Sequence, residues 1–221
     1  RARIDTRFER NLPLSEIGFV VDGVVQDYAS ATLLPGRNLT ARELRLNILP
    51  DEVTVSGQAR LDGVRMSGQW SRALGPEADP ASQIVARVTV DRAALDSLGV
   101  RLPDGMMSGQ GLANLTVDLA PQTPPILRVA SDLRGIGLSV PQLGWRLPQD
   151  RAGDLQATVR LGPDPDVTAL SLDGAGLSLT GRVDLGGSGF ERLVADRLRI
   201  GGWLDVAGRL TSRGQGAAPA L

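Results

Sequence analysis

Along much of this chain apolar residues alternate with polar ones, and three stretches share one grammar: apolar-x-apolar-(Ser/Thr/Ala)-Gly-x-apolar. They begin at Val53 (Val-Thr-Val-Ser-Gly-Gln-Ala-Arg-Leu), Leu177 (Leu-Ser-Leu-Thr-Gly-Arg-Val-Asp-Leu) and Leu204 (Leu-Asp-Val-Ala-Gly-Arg-Leu). A period of two sends successive side chains to opposite faces, so each stretch reads as a strand with one apolar and one polar side. Matching lead-ins precede two of them, Leu39-Thr-Ala-Arg-Glu-Leu-Arg-Leu46 and Leu193-Val-Ala-Asp-Arg-Leu-Arg-Ile200. A strand–turn–strand unit therefore recurs, which predicts an elongated, repeat-like sheet rather than a compact enzyme core.

The clearest element is a hairpin from Val53 to Trp70 turning at Asp62-Gly63. Val53, Val55, Gly57, Ala59, Leu61, Val64, Met66, Gly68 and Trp70 fall on one side, and Thr54, Ser56, Gln58, Arg60, Arg65, Ser67 and Gln69 on the other. Upstream, Ile17-Gly-Phe-Val-Val-Asp-Gly-Val-Val25 reads as two short strands meeting at the hairpin dipeptide Asp22-Gly23, followed by a turn at Leu34-Pro-Gly36. A breaker-rich loop spans 74–81, and a strand follows over 83–90. The one convincing helix has Asp91 as N-cap, Leu95 and Leu98 to bury against a sheet end, and Gly99 as its stop. Further strands are expected at 106–119, 126–133, 136–141, 154–161, 167–173, 176–186, 192–200 and 203–211. No linker marks an internal boundary, so residues 1–213 read as one segment and 214–221 as a flexible tail.

Composition narrows the chemistry. The chain has 221 residues and no histidine or cysteine, and all of its basic residues are arginine. His-based acid–base work, thiol nucleophiles, thiolate zinc sites, Schiff bases and Walker-type phosphate loops are thereby excluded. Carboxylates, arginines, hydroxyls and Tyr28 are what remain, and the expectation is a protein that is not an enzyme and needs no cofactor or metal. A net charge of −1 gives no electrostatic reason for a nucleic-acid partner. No apolar run reaches the roughly 18 residues of a membrane span. The first residue is arginine, so the chain is read as a piece of a longer protein whose anchor would lie elsewhere.

Local motifs have ordinary explanations. Gly174-Ala-Gly176 and the glycines from Gly105 to Gly111 lack the helix a nucleotide loop requires and read as turns and bulges. Asp164-Pro-Asp166 is a turn former before it is a calcium site. Asn38-Leu-Thr40 and Asn114-Leu-Thr116 match the glycosylation triplet, but Leu115 reads as an inward strand residue. A carboxylate pair for glycoside cleavage would have to draw its sugar platforms from Tyr28, Trp70, Trp145 and Trp203, since aromatics make up 3% of the chain.

That scarcity bears on the apolar face as well. A two-sheet sandwich is the ordinary way to cover alternating strands, but it generally uses more Phe, Tyr and Trp to fill the space between sheets. Here the face is Val, Leu, Ala, Gly and Met.

Val21-Asp-Gly-Val-Val-Gln-Asp-Tyr28, Leu34-Pro-Gly-Arg37, Val53-Thr-Val-Ser-Gly57 and Gly68-Gln-Trp70 together resemble the AsmA-like superfamily, in its YhdP/TamB-type branch. So do Leu95-Asp-Ser-Leu-Gly99 with Leu102-Pro-Asp-Gly105, and Asp132-Leu-Arg-Gly-Ile-Gly-Leu138 running into Pro141-Gln-Leu-Gly-Trp145. The resemblance covers most of residues 15–210. It implies an all-β fold with one or two short helices, in which an elongated, twisted, mostly antiparallel sheet curls into a groove with an apolar interior. It also implies a place in the periplasm of a Gram-negative envelope, attached to the inner membrane through an anchor outside this chain. The function implied is shielding phospholipid acyl chains on their way between the two membranes. The groove-lining candidates are Val53, Val55, Leu61, Val64, Met66, Leu115, Val117, Leu177, Leu179, Val183, Leu204 and Val206. The alternative is a scaffolding β-domain that assists outer-membrane biogenesis by binding envelope proteins along its edge strands.

Overall fold

The computed structural model describes residues 2–4, 19–32, 36–162, 165–186 and 189–211. The expected turn at Leu34-Pro-Gly36 and the tail at 214–221 lie wholly or largely outside these residues.

The chain is all-β and antiparallel, with one short helix, and its sheet does not close into a barrel. The strands are β1 (Ala2–Ile4), β2 (Phe19–Ser30), β3 (Leu39–Ile48), β4 (Glu52–Leu61), β5 (Val64–Ala73), β6 (Ser82–Asp91) and β7 (Met107–Leu119). They continue as β8 (Ile126–Ser131), β9 (Ile136–Val140), β10 (Trp145–Leu147), β11 (Asp154–Arg160), β12 (Asp166–Gly174), β13 (Leu177–Gly186), β14 (Gly189–Ile200) and β15 (Leu204–Thr211). Their order in the sheet follows the sequence from β1 to β8 and then from β11 to β15; β9 and β10 lie off this path. Helix α1 (Arg92–Ser97) starts where expected, because the Asp91 carboxylate accepts the Ala94 N–H at 2.7 Å.

By its contacts the chain divides into two units, Arg1–Arg87 with Thr116–Thr123, and Val88–Leu115 with Pro124–Leu221. In the first unit, β4 and β5 form the expected hairpin, with Leu61 opposite Val64 and both Asp62 and Gly63 in left-handed backbone conformations. The Asp22-Gly23 turn is not there. Both residues lie inside the continuous strand β2, where Asp22 faces Asn47 and Gly23 faces Leu46. The Asn47 side chain donates to the Asp22 carboxylate at 2.9 Å. Pairing along the whole of β3 overrides a local turn preference.

Both lead-ins carry a bulge. In β3 the register shifts between Thr40 and Glu43, and in β14 between Ala195 and Leu198. Leu39 and Leu44 are an odd number of residues apart, as are Ala195 and Leu198. Only an inserted residue can turn both members of each pair to one face. A further shift in β12, between Val167 and Leu170, falls opposite Gly181 of β13.

In the second unit, the segment 132–153 that joins β8 to β11 folds over one face of the sheet. It contains the β9–β10 hairpin, and β9 also pairs with the first residues of β7, Met107–Gly109. Ser131, the one buried polar residue among the described residues, is satisfied in both roles. Its hydroxyl donates to the Leu112 carbonyl at 2.7 Å and accepts the Leu133 N–H at 3.1 Å. Leu133 then adopts a left-handed backbone at φ 56, a strain offset by full burial of its side chain.

Candidate functional site

The register of the first unit builds a wide apolar face. Val21, Gly23 and Val25 of β2 stand opposite Ile48, Leu46 and Leu44 of β3, which in turn face Val53, Val55 and Gly57 of β4. Beyond them Val55 faces Trp70, Gly57 faces Gly68, Ala59 faces Met66 and Leu61 faces Val64. Gly68 is required by a close approach: a Cβ there would stand 2.5 Å from the Val85 carbonyl oxygen and 2.8 Å from the Ala86 Cβ on β6.

Across β2–β6 this face carries one charged side chain, Arg72, at the margin opposite Val53. Its buried apolar residues in this unit are Ala41, Val64 and Ala86, none of them large. Val53, Val55, Leu61, Met66 and Trp70 are half-buried. Among the described residues of this unit, every element is a strand of the sheet or a loop joining two of them, so no second layer packs here.

The polar side supplies the ties. Asp62 accepts the Asn38 N–H and an Arg37 guanidinium N–H, each at 2.9 Å, clipping the β4–β5 turn to the start of β3. Those two bonds, the Asn38 backbone donor first, hold the Asp62 carboxyl below its ordinary value of 3.8.

The second unit treats the same kind of face differently. Leu177 and Leu179 of β13 are buried with Leu133, Ile136, Trp145 and Leu147 from the overlying segment, together with Met107, Ala195 and Ile200. Leu147 is 0% exposed and fills the space left by Gly153 and Gly174. The Trp145 indole N–H donates to the Gly174 carbonyl at 3.1 Å, pinning the segment down. Gly174-Ala-Gly176 is the β12–β13 hairpin turn, with Ala175 and Gly176 left-handed. Asp166 is held by Arg160 at 2.9 and 3.0 Å, and Asp164 lies outside the described residues.

The twelve lining candidates divide between the two units. Val53, Val55, Leu61, Val64 and Met66 come together on the β4–β5 hairpin, and Val117 lies on β7 in the same unit. Leu115, Val183 and Leu204 are half-buried in the second unit, and Val206 is 43% exposed on β15. Leu177 and Leu179 are not open lining but core, covered by residues 132–153. Sequence reasoning missed Leu44, Leu46, Ile48, Val21 and Val25, although simple alternation already places the first three on one face.

Among the described residues no cluster of carboxylates could hold a metal ion, and no helix is long and apolar enough to cross a membrane. Comparison with family models, curated proteins and solved structures finds no match to this chain.

Proposed function

We propose that this chain is a non-enzymatic segment of a periplasmic lipid-transport protein, whose first unit shields phospholipid acyl chains on its apolar face between inner and outer membrane. The observation that carries this reading is the face built by β2–β6: broad, aliphatic, nearly free of charge, and without a packed layer from the described residues of its own unit. Each buried methylene is worth roughly 0.8 kcal/mol, so a tail of about 16 carbons left in water would cost on the order of 10 kcal/mol. A smooth wall of Val, Leu, Ile and Met removes that barrier and offers no polar partner to arrest a tail at one place. Headgroups would remain in water beyond the margin, near Arg72.

The second reading, a scaffolding domain for envelope proteins, draws its support from the second unit, whose apolar face is already filled by residues 132–153.

A photo-crosslinking residue placed at Val55, and separately at Leu179, distinguishes the two in the chain expressed with its native envelope. Lipid captured at Val55 and absent at Leu179 is the expected result. Native mass spectrometry showing no bound lipid, together with no adduct at Val55, would overturn the lipid reading and leave the scaffold.

A further inference from the structure

The two units treat charge on the polar side as differently as they treat the apolar one. In the second unit a row crosses four strands as Arg160, Asp166, Asp184 and Arg192, each directly opposite the next. Its two central carboxylates face each other, and each is held from outside. Arg160 donates to Asp166 at 2.9 and 3.0 Å, and Arg192 donates to Asp184 at 2.8 Å. In the first unit a row of the same kind runs Ala29, Thr40, Arg60 and Arg65. Arg60 holds the place in the repeated motif that Asp184 holds in β13, and it too faces a like charge. Thr40 flanks this pair on β3, both arginines are exposed, and neither is ion-paired among the described residues. The carboxylates nearest along β3, β4 and the hairpin turn are engaged elsewhere. One oxygen of Asp62 is taken by Arg37 and the other by the Asn38 N–H, while Glu43 lies 3.6 Å from the Arg45 guanidinium. The next row on the same side is Gln58 opposite Ser67. The two guanidinium groups thus stand among Thr40, Gln58 and Ser67, neutral side chains that can each donate a hydrogen bond.

We infer that Arg60 and Arg65 form a binding site for a phosphate oxyanion, with Thr40 as a flanking donor. Like charges directly opposite on neighbouring strands repel, their Cβ atoms being only about 4.5–5.5 Å apart. The register allows no slip away, because Leu61 opposite Val64 and the Asp62-Gly63 turn fix it. An oxyanion between the two removes the repulsion, and each guanidinium can offer it two parallel N–H donors. A carboxylate at either position would also neutralise the pair, as Asp184 and Arg192 do for each other; the chain carries a second arginine there instead. Residues 60 and 65 alternate with Ala59, Leu61, Val64 and Met66, so the site lies on the side away from the apolar face. It stands whether or not that face carries lipid. A free phosphate and a phospholipid headgroup at a bilayer surface present the same oxygens to it.

The test is the melting temperature of the whole chain titrated with inorganic phosphate, against chloride at matched ionic strength. Flotation on phosphatidylcholine vesicles, with and without phosphatidylglycerol, is its second arm. A saturable rise with phosphate beyond that with chloride identifies a site open to free phosphate. Flotation that requires phosphatidylglycerol, without a phosphate response, assigns the site to a headgroup. In either case Arg65→Gln should weaken the response by at least about tenfold. Arg151→Gln removes the same charge from an exposed turn of the second unit and should leave the response within roughly twofold. Arg65→Glu gives a readout independent of any ligand: it sets opposite charges across the hairpin, so it should raise the melting temperature in chloride while abolishing the response. Equal responses to phosphate and chloride without phosphatidylglycerol-dependent flotation would overturn the proposal. So would equal losses in Arg65→Gln and Arg151→Gln, or a melting temperature lowered by Arg65→Glu.

Discussion

Val55 in the first unit and Leu179 in the second hold the same place in the repeated motif, and their fates differ. Val55 is half-buried among its strand neighbours, whereas Leu179 lies beneath Leu133, Trp145 and Leu147. The strands around the two residues follow the same rule of alternation. What separates them is a covering segment: between the described strands of the first unit from β2 onward only loops intervene, while the second unit inserts residues 132–153 between β8 and β11 and folds them back. Whether an apolar face becomes core or surface is thus decided by a segment outside the strand that carries it.

The contrast is broken most strongly at Leu147. Leu147→Ala should destabilise the second unit by about 2–5 kcal/mol, the usual range for emptying a filled core site, whereas Val55→Ala should cost less than about 1 kcal/mol. Urea unfolding of the two variants measures both, and equal losses would mean that the first unit's face is packed after all. A smaller effect is expected at Gly68, where the backbone of β6 leaves no room for a side chain. Gly68→Val should cost about 1–3 kcal/mol by overpacking, read from the same unfolding curves. The smallest concerns Asp62. Its carboxyl is held below 3.8 in the folded state, so its contribution is complete above that value and is lost as pH falls through the folded-state value. The melting temperature should fall in acid, and Asp62→Asn should flatten that part of the profile.

Much of the fold was readable because the information was local. The β4–β5 hairpin needed only a period of two and an Asp-Gly pair, and helix α1 needed only Asp91, its apolar residues and Gly99. The errors arose where distant pairing decides. Asp22-Gly23 has the chemistry of a turn, but β3 offered it a longer partner. β10 is only three residues long, too short for any period to register, yet it supplies Trp145 and Leu147 to the core. The scarcity of aromatic residues set the apolar face apart from an ordinary sandwich interior, but in the second unit one tryptophan and a few leucines close it. Of the lining candidates, those on the hairpin were legible as a set. Leu177 and Leu179 were misplaced because nothing in their own strand announces the layer above them.

The order of the strands has a consequence for how the molecule forms. Apart from the step from β8 to β11, each strand on the main path adds beside the one made just before it, so little chain entropy is lost at each addition. Such a polypeptide can assemble by zippering from any completed hairpin, and its leading portion can take shape while the remainder is still emerging from the ribosome or a translocation pore.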